Sequence, residues 1–348
     1  MKNSDVEIIE NLSHNNEIFD IRWRVTTLCN YDCAFCIQGN RQDHLRQAKG
    51  ESPALRMKIC DEAIRLIEGT KEYDAVKFFL IGGELTILDD FPKLLEKIAL
   101  CNFPGEILFD ITTNFSQDGD YYCRLCDIIQ RKARGKKRSL TIRTSFYSDK
   151  TTKEKFVEKL LRVHEYAERN RLLESIDGER ADVAISFTAG APILNDADYD
   201  VLLWIRRKLE DVGIVAAPIF IRNFETNVSP AIIEKLLESN EEKSVRVTCL
   251  DGGIRMYSNI QALGMDLDGT RVFCPEGYAC DAGIRNIWID AFGHVKRRPT
   301  TGGSTSLGNI LDGSVRLLDS PQVCFSDHCS CSQYGRIEKT NPSDEPNA

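Results

Sequence analysis

Strand-like and helix-like segments alternate from residue 18 to about residue 220, and this alternation constrains the fold more than any other feature. Residues 75–81 (AVKFFLI) form a compact apolar run typical of a buried strand, and residues 57–68 have apolar side chains at helical spacing. The same reasoning predicts strands at 18–26, 107–112, 140–146, 182–188 and 214–221, and helices at 90–100, 121–131, 153–169, 198–210 and 230–238. Six strand–helix units in series favour an α/β protein with a parallel sheet, open or partly closed as a barrel, and helices outside it.

Three cysteines follow the first predicted strand: Cys29, Cys33 and Cys36, in the spacing C-x3-C-x2-C, with Phe35 just before the last of them. Reactive residues in such sheets gather at the C-terminal ends of the strands, which is where this loop lies. Zinc sites usually take four ligands, whereas the nearest histidine, His44, lies eight residues downstream. Three thiolates suit a [4Fe-4S] cluster with one iron open to a ligand, and zinc remains the alternative at this point.

The sequence lacks any sign of export. Its N-terminal segment has neither an apolar core nor an Arg-rich amphipathic stretch, and no run of about 18 apolar residues exists. We therefore predict a cytoplasmic protein without a membrane span, in which the 13 cysteines do not form disulfides. The net charge of −8 argues against a nucleic-acid partner.

A second motif, Gly82-Gly83-Glu84, ends the second of the predicted strands. Together with C-x3-C-x2-C after the first strand, it resembles the signature of the radical S-adenosylmethionine (radical SAM) enzymes. The resemblance covers roughly residues 18 to 225, and it implies a partial (β/α)6 TIM-like barrel.

The resemblance also implies a chemistry. Cys29, Cys33 and Cys36 would bind three irons of a [4Fe-4S] cluster, and the amine and carboxylate of S-adenosylmethionine would chelate the fourth. An external one-electron donor of the flavodoxin or ferredoxin type would reduce the cluster. Cleavage of the sulfonium then gives a 5'-deoxyadenosyl radical, which removes a hydrogen atom from a substrate; the protein positions the cofactor and excludes water.

Further cofactor contacts are implied at the strand ends. Gly82 and Gly83 would let the backbone pass close to the cofactor and hold its amine. The other residues carried over from the resemblance are Phe35, Glu84, Thr113, Asn114, Arg143 and Ser145. Structural alternatives exist for three of them: a cap for the glutamate, a turn for the asparagine and an ordinary ion pair for the arginine.

Five cysteines lie between residues 274 and 331, in a stretch rich in glycine and turns. This stretch resembles the SPASM or Twitch extension of the radical SAM superfamily, a small C-terminal Cys-rich domain with auxiliary [4Fe-4S] clusters. Gly293 fits the pattern, but Arg298 stands where a further cysteine is expected. The resemblance therefore implies one auxiliary cluster, with the ligands Cys280, Cys324, Cys329 and Cys331. Cys274 is a substitute ligand, His328 could replace one ligand, and a zinc site is the alternative.

The other five cysteines lie outside both sets. Cys60, Cys101, Cys123 and Cys126 are interpreted as buried thiols. Cys249 precedes the sequence LDGG at the junction of the two halves of the chain. A thiol there could donate a hydrogen atom to a substrate radical, as similar epimerases do; a buried strand residue is the alternative.

The pattern divides the chain into four parts. They are an N-terminal extension (1–17), a radical SAM partial barrel (18–240), a SPASM/Twitch-like auxiliary cluster domain (241–335) and a disordered tail (336–348).

Three functions are weighed. The first is a biosynthetic oxidoreductase or epimerase that dehydrogenates, epimerises or rearranges a small polar substrate such as a sugar, aminocyclitol or nucleoside. The second is a maturase that crosslinks or epimerises a ribosomal peptide, for which the 17 residues before the first strand are too few to form a leader-binding domain. The third, a non-catalytic zinc adaptor, is disfavoured by the paired motifs.

Overall fold

The structure is a computed structural model that describes residues 6–11, 18–36, 39–70, 72–132, 136–173, 183–219, 227–238, 245–257, 276–297, 306–324 and 336–339. Proximity of Cα atoms divides the chain into two compact units. The larger unit contains residues 20–229 and 289–293, and the smaller one contains residues 1–19, 230–288 and 294–348. The four-part division of the sequence stays a prediction.

Strands and helices follow one another in chain order. The first half of the chain forms β1 (Val6–Asn11), β2 (Ile18–Thr26), α1 (Arg41–Gln47), α2 (Pro53–Gly69), β3 (Ala75–Gly82), α3 (Phe91–Leu100), β4 (Glu106–Thr113), α4 (Gly119–Lys132), β5 (Arg138–Ser145) and α5 (Lys153–Arg169). The second half forms β6 (Val183–Pro192), α6 (Asp196–Leu209), β7 (Val215–Ile219), α7 (Pro230–Glu238), β8 (Val245–Cys249), β9 (Ile254–Tyr257), β10 (Tyr278–Cys280), β11 (Asn286–Ile289), β12 (His294–Lys296), β13 (Ser306–Asn309), β14 (Gln322–Val323) and β15 (Arg336–Lys339).

The predicted alternation of strands and helices is confirmed. β2, α5 and α7 have the predicted bounds, and the other predicted elements of the first 240 residues differ by a few residues at their ends. Within the larger unit the sheet order is β2-β3-β4-β5-β6-β7, and β3 to β7 pair in parallel. The protein is therefore a mixed α/β protein with a parallel sheet, and closure of that sheet into a partial barrel stays a prediction.

The two faces of the parallel sheet differ in chemistry. One face is apolar and buried, as shown by Ile21, Trp23 and Val25 of β2 and by Phe78 and Leu80 of β3. The other face is polar and mostly half-buried. It carries Asp20, Arg22, Arg24, Lys77, Asp110, Thr112, Thr141, Arg143, Ser186 and Thr188. Parallel sheets usually bury apolar residues on both faces, so the polar face is a departure from the common pattern.

The smaller unit contains an antiparallel sheet in the order β14-β10-β15-β1-β8-β9. Its strand β15 corrects one prediction: residues 336–339 are not part of a disordered tail, because their backbone pairs with β1 on one side and with β10 on the other. Residues 340–348 lie outside the described residues. Among the helices that the structure describes, none is long and apolar enough to cross a membrane.

Candidate active site

A buried carboxylate holds the start of the C-x3-C-x2-C loop, where the chain leaves β2. Glu51 accepts hydrogen bonds from the Thr26 hydroxyl (2.5 Å), the Thr27 hydroxyl (2.6 Å) and the Thr27 backbone N–H (2.8 Å). Arg56 lies 3.9 Å from the same carboxylate and forms a bidentate pair with Asp90. Glu51 was missed in the sequence, since one acidic residue between two helices gives no periodic or motif signal.

Cys29, Cys33 and Cys36 are half-buried thiols on this loop. Burial raises the pKa of Cys29 and raises the pKa of Cys33 to about 12, and negative charge on neighbouring groups raises both pKa values further. Within the described residues, no three Cys, His, Asp or Glu side chains converge on a single metal ion. A [4Fe-4S] cluster does not require that convergence, because each of its cysteines binds a different iron. The three-thiol donor set fits such a cluster.

Nitrogen atoms lie close to two of the three sulfurs. The Tyr31 backbone N–H donates to Cys29 Sγ over 3.4 Å, and the Asn114 side-chain amide lies 4.0 Å from the same sulfur. The Nε2 atom of His44 lies 3.5 Å from Cys36 Sγ. Hydrogen bonds to sulfur favour the thiolate that binds iron, and they also set the reduction potential of a cluster.

His44 connects the two sides of the loop. Its Nδ1 lies 2.9 Å from the Thr27 carbonyl oxygen, its Nε2 lies 3.0 Å from the Gly39 carbonyl oxygen, and the residue is 2% exposed. A capping box between Asn40 and Asp43 begins α1 and so fixes the position of His44. Its separation along the chain made His44 a poor candidate in the sequence, but α1 folds it back against Cys36.

Gly82 and Gly83 bring the end of β3 against the cysteine loop. A Cβ atom on Gly82 would lie 2.4 Å from the Thr26 carbonyl oxygen, and one on Gly83 would lie 2.1 Å from the Leu28 carbonyl oxygen. The Gly83 N–H donates to Thr26 (2.9 Å), and the Glu84 N–H donates to Leu28 (2.7 Å). The approach of two backbones therefore requires glycine here. Contact of the two glycines with the cofactor amine stays a prediction.

Glu84 is fully buried and accepts four hydrogen bonds. Its Oε1 accepts from the Thr86 N–H (3.0 Å), the Thr86 hydroxyl (2.6 Å) and the Thr113 hydroxyl (2.8 Å), and its Oε2 accepts from the Asn114 N–H (2.5 Å). Burial raises the pKa of Glu84, and these donors oppose the rise. The carboxylate caps the short 3₁₀ turn Leu85–Ile87 and joins β3 to the end of β4. These contacts match the capping alternative; a cofactor contact by Glu84 stays a prediction.

Asn114 links the end of β4 to the cysteine loop. Its side-chain amide donates to the Asn30 side-chain oxygen (2.9 Å), and its own oxygen accepts from the Ser116 N–H (3.1 Å). Asn30 in turn donates to the Ser116 hydroxyl (3.0 Å). These contacts match the turn alternative for Asn114, so its predicted ribose contact, like that of Thr113, stays a prediction.

A cavity of about 200 Å³ lies beside the loop. Cys33 and Phe35 line it on one side, and Tyr147 and Pro192 line it from beyond β5 and from the end of β6. The rings of Phe35 and Tyr147 are nearly parallel, with an interplanar angle of 13° and centroids 6.1 Å apart. Ser145, the last residue of β5, is buried, and its predicted ribose contact stays a prediction. Tyr147 was missed in the sequence, although an aromatic residue just past a predicted strand end is a usable signal.

Arg143, which the resemblance assigns to the cofactor, forms an ion pair with Asp110. Its Nε and Nη2 donate to the two carboxylate oxygens over 2.6 Å and 2.7 Å, and the Lys77 Nζ lies 3.6 Å from the same carboxylate. The Asp110 side chain is 3% exposed, whereas that of Arg143 is 44% exposed. The ion-pair alternative is therefore observed, and a contact between the exposed part of Arg143 and the cofactor stays a prediction.

Two members of the second cysteine set are described, and both are buried: Cys280 and Cys324. Cys280 lies opposite Gln322, and the Cys324 N–H donates to the Tyr278 carbonyl oxygen over 2.8 Å. Because side chains alternate along a strand, the two cysteines lie on one face of the sheet as diagonal neighbours. Four other residues of this set lie outside the described residues: the predicted ligands Cys329 and Cys331, the alternative ligand His328 and the substitute Cys274.

A buried arginine holds the backbone at these two cysteines. Arg297 is 4% exposed, and its guanidinium donates to the carbonyl oxygens of Cys280 (3.0 Å), Gln322 (2.5 Å) and Val323 (3.4 Å). Its described partners are carbonyl oxygens rather than carboxylates. A buried cation without a carboxylate partner favours negative charge nearby, and cysteine thiolates supply such charge.

Cys249 lies at the end of β8 and is 6% exposed. Its N–H donates to the Gly253 carbonyl oxygen (2.8 Å), and its carbonyl oxygen accepts from the Gly252 N–H (2.9 Å), which closes the β8–β9 hairpin. These contacts match the alternative interpretation of Cys249 as a buried strand residue. The role of Cys249 as a hydrogen donor stays a prediction. The remaining four thiols are buried as predicted: Cys60, Cys101, Cys123 and Cys126.

Comparison with known proteins finds relatives among GTP 3',8-cyclases, and no family model matches the chain. The enzyme from Aeromonas hydrophila subsp. hydrophila is 26% identical over 203 residues, which cover 56% of this chain and 52% of that enzyme. The enzyme from Psychromonas ingrahamii is 29% identical over 113 residues, which cover 32% of this chain and 30% of that enzyme. The chain thus matches about half of the first relative's length and less than a third of the second.

Solved structures of SuiB from Streptococcus suis show a weaker likeness. SuiB bound to S-adenosylmethionine is 13% identical, with a TM-score of 0.49 over 84% of this chain and 63% of that chain. SuiB bound to its precursor peptide SuiA is 11% identical, with a TM-score of 0.49 over 86% of this chain and 64% of that chain. TM-scores below 0.5 carry no conclusion about fold or substrate.

The family follows from the motifs, their geometry and the sequence relatives together. C-x3-C-x2-C and Gly-Gly-Glu follow neighbouring strands, and backbone hydrogen bonds join them. The match to a GTP 3',8-cyclase covers more than half of the chain. The chain belongs to the radical SAM superfamily.

Proposed function

We propose that this radical SAM enzyme cleaves S-adenosylmethionine reductively and uses the radical to abstract hydrogen from a small polar substrate. One observation carries the proposal: three half-buried thiols lie on one loop, and the backbone of the Gly-Gly-Glu segment holds that loop at the C-terminal ends of β2 and β3. Catalytic groups of parallel α/β proteins gather at that edge of the sheet.

The residues of the loop have distinct roles in this proposal. Cys29, Cys33 and Cys36 would hold three irons of a [4Fe-4S] cluster. When bound, the cluster supplies an open iron that chelates S-adenosylmethionine and an electron that cleaves its sulfonium to methionine and a 5'-deoxyadenosyl radical. The Tyr31 backbone N–H donates to the sulfur of Cys29 and so favours its thiolate form, and the imidazole of His44 lies beside the sulfur of Cys36.

The cavity beside the loop is suited to the adenosyl group. The two nearly parallel rings of Phe35 and Tyr147 offer a flat aromatic site at the strand ends, of the kind that binds a purine. The contacts carried over from the resemblance would complete the cofactor site: Gly82 and Gly83 for the amine, Thr113, Asn114 and Ser145 for the ribose, and Arg143 for the carboxylate, with Glu84 as a further contact. Aromatic walls here would also keep water away from the radical.

The smaller unit would hold one auxiliary [4Fe-4S] cluster. Cys280 and Cys324 are buried on one face of its sheet, and the Arg297 guanidinium lies against the backbone of both strands that carry them. Cys329 and Cys331 would complete the ligand set, with Cys274 as the substitute. A positive charge at this position offsets the net negative charge of a cysteine-bound cluster.

The reaction would dehydrogenate, epimerise or rearrange a sugar, aminocyclitol or nucleoside in the cytoplasm, with an electron donor of the flavodoxin or ferredoxin type. The polar face of the parallel sheet supports a polar substrate, because its hydroxyl and charged groups can bind hydroxyl groups. In an epimerisation Cys249 would return a hydrogen atom to the substrate radical. The alternative is a peptide maturase.

The proposal is tested by anaerobic reconstitution with iron and sulfide, reduction, and measurement of 5'-deoxyadenosine. We expect the wild-type chain to release 5'-deoxyadenosine and Cys29→Ala to release none, because one iron loses its ligand. Cys123→Ser is the matched control, since it removes a buried thiol outside both proposed ligand sets. Unchanged 5'-deoxyadenosine release by Cys29→Ala would exclude the proposed radical mechanism.

A further inference from the structure

The polar face of the parallel sheet has an excess of positive charge. Four cationic residues lie on it, Arg22, Arg24, Lys77 and Arg143, against three carboxylates, Asp20, Glu106 and Asp110. The chain as a whole is acidic, with a net charge of −8, so the excess is local. Charge of one sign on a sheet face attracts ligands of the opposite sign.

One carboxylate on this face already serves two cations. Asp110 accepts both hydrogen bonds from Arg143 and lies 3.6 Å from Lys77 Nζ. It is nearly fully buried, whereas Lys77 and Arg143 remain 35% and 44% exposed. A single carboxylate cannot neutralise two cations, so this cluster keeps a net positive charge.

An aromatic ring draws two guanidinium groups together on the same face. The Arg22 guanidinium lies 4.9 Å from the centroid of the Phe79 ring, and the Arg143 guanidinium lies 5.8 Å from it. Phe79 pairs with Asp110 in the register of β3 and β4. The ring stabilises the guanidinium groups by cation–π contact but contributes no negative charge.

Arg24 is the cation nearest to the cysteine loop on this strand, two residues before the end of β2. Its Nε is buried and has no hydrogen-bond partner among the described residues. A buried guanidinium nitrogen without a partner costs free energy, which a bound anion would recover.

Hydroxyl groups complete the face. Thr112 lies next to Arg143 in the register of β4 and β5, and Thr188 lies next to Arg143 in that of β5 and β6. The hydroxyl groups of Thr141 and Ser186 lie 3.0 Å apart on neighbouring strands. Such hydroxyl groups can hydrogen-bond the hydroxyl groups of a ligand as readily as they hydrogen-bond each other.

We propose that this face binds the substrate and that the substrate is a small hydroxylated anion, carrying a phosphate or a carboxylate that Arg24 anchors. The proposal rests on the proposed function, in which the substrate meets the radical at the C-terminal ends of the strands. It excludes neutral and cationic substrates, such as free sugars and aminocyclitols, and keeps phosphorylated or carboxylated molecules as the substrate candidates.

The experiment measures anion binding to the reconstituted enzyme with its cluster oxidised, so that no cleavage occurs. Inorganic phosphate and succinate are the two probes, and the dissociation constant comes from the unfolding midpoint as a function of probe concentration. We expect binding by the wild-type chain, and the probe that binds more tightly names the anionic group. Arg24→Gln should weaken binding about tenfold or more, since a charged hydrogen bond is lost.

Two further variants separate charge from structure. Arg24→Lys keeps the positive charge and should keep most of the binding, whereas loss of binding in both variants would point to a structural role and overturn the proposal. Arg65→Gln is the matched control, because Arg65 is an exposed arginine paired with Glu62 on α2. It should leave binding unchanged.

The proposal is overturned if neither probe binds the wild-type chain, or if Arg24→Gln binds both probes as well as the wild type. It is also overturned if saturating S-adenosylmethionine abolishes binding, because Arg24 would then hold the cofactor carboxylate. Anion binding needs no cleavage of S-adenosylmethionine, and 5'-deoxyadenosine release needs no anion. The failure of one proposal is therefore distinguishable from the failure of the other.

Discussion

The two cysteine sets of this protein are built in different ways. Cys29, Cys33 and Cys36 lie within eight residues on one loop, and groups from three other segments hold that loop: Glu51, His44 and Gly83. In the other set, Cys280 and Cys324 are 44 residues apart and come together only because β10 and β14 pair.

The difference teaches where each site obtains its geometry. A ligand set on one short loop needs only local structure, and surrounding groups refine it. A set assembled from two strands depends on the tertiary fold, so anything that shifts the strands shifts the ligands. We therefore expect changes in the smaller unit to affect its proposed cluster without affecting cleavage of S-adenosylmethionine.

The largest expected effect comes from removing a ligand of the second set. Cys280→Ala should lower the iron content from about eight to about four per chain, because one [4Fe-4S] cluster is lost and the other remains. Release of 5'-deoxyadenosine should persist. The measurement is iron and sulfide content after anaerobic reconstitution, beside the activity assay. An iron content of about four in the wild-type chain would remove the auxiliary cluster from the proposal.

The second-largest expected difference concerns a glycine near each cysteine set. Gly83→Ala should destabilise the metal-free chain by about 2–3 kcal/mol or more, because its Cβ would lie 2.1 Å from a backbone oxygen that cannot move freely. Gly283→Ala, in the smaller unit, should cost about 1–2 kcal/mol, because its φ is +97° while its nearest contacts, at 3.1 Å, are side-chain atoms.

Denaturant unfolding of the metal-free protein measures both changes. Gly69→Ala is the control, since a Cβ there meets nothing within 4 Å. Equal losses in Gly83→Ala and Gly283→Ala would contradict the tighter construction of the cysteine loop.

The buried arginine gives a third comparison. Arg297→Met should lower the occupancy of the auxiliary cluster, because the positive charge beside Cys280 is lost and three carbonyl oxygens lose their donor. The proposed cluster at Cys29 should be unaffected. Mössbauer spectra of the two iron populations measure this, and equal loss of both clusters would show that the arginine supports the whole protein.

The smallest expected effect concerns His44. Its Nε2 lies 3.5 Å from Cys36 Sγ, and hydrogen bonds to cluster sulfurs raise the reduction potential. His44→Phe should therefore make the potential of the radical SAM cluster more negative while the iron content stays close to that of the wild type. Redox titration followed by electron paramagnetic resonance gives the potential. An unchanged potential would show that the histidine only holds the loop backbone.

The sequence predicted the order and type of the elements well for the parallel sheet. Alternation in β2, an apolar run in β3 and helical spacing in α5 identify these elements, because burial imposes a pattern on the residues. The antiparallel strands of the smaller unit were mostly missed. Strands of two to four residues, such as β10 and β14, are too short to show a period, and β1 and β15 acquire their partners only from distant parts of the chain.

The candidate site divides in the same way. The cysteine spacing and the Gly-Gly-Glu motif are local, and they indicated the family that the sequence relatives support. The backbone contact that requires Gly83, the carboxylate of Glu51 and the position of His44 all depend on segments that lie apart in the sequence. No pattern of spacing reports such contacts.

By itself the sequence determined which thiols lie together and which strand ends carry them, because residue type and strand period are properties of neighbouring residues. Only the tertiary structure decided that Arg143 already pairs with Asp110, that Glu84 caps a turn, and that one face of a parallel sheet is cationic. The physical reason is that hydrogen bonds and charge balance are set between strands, whose register the chain fixes only when it folds.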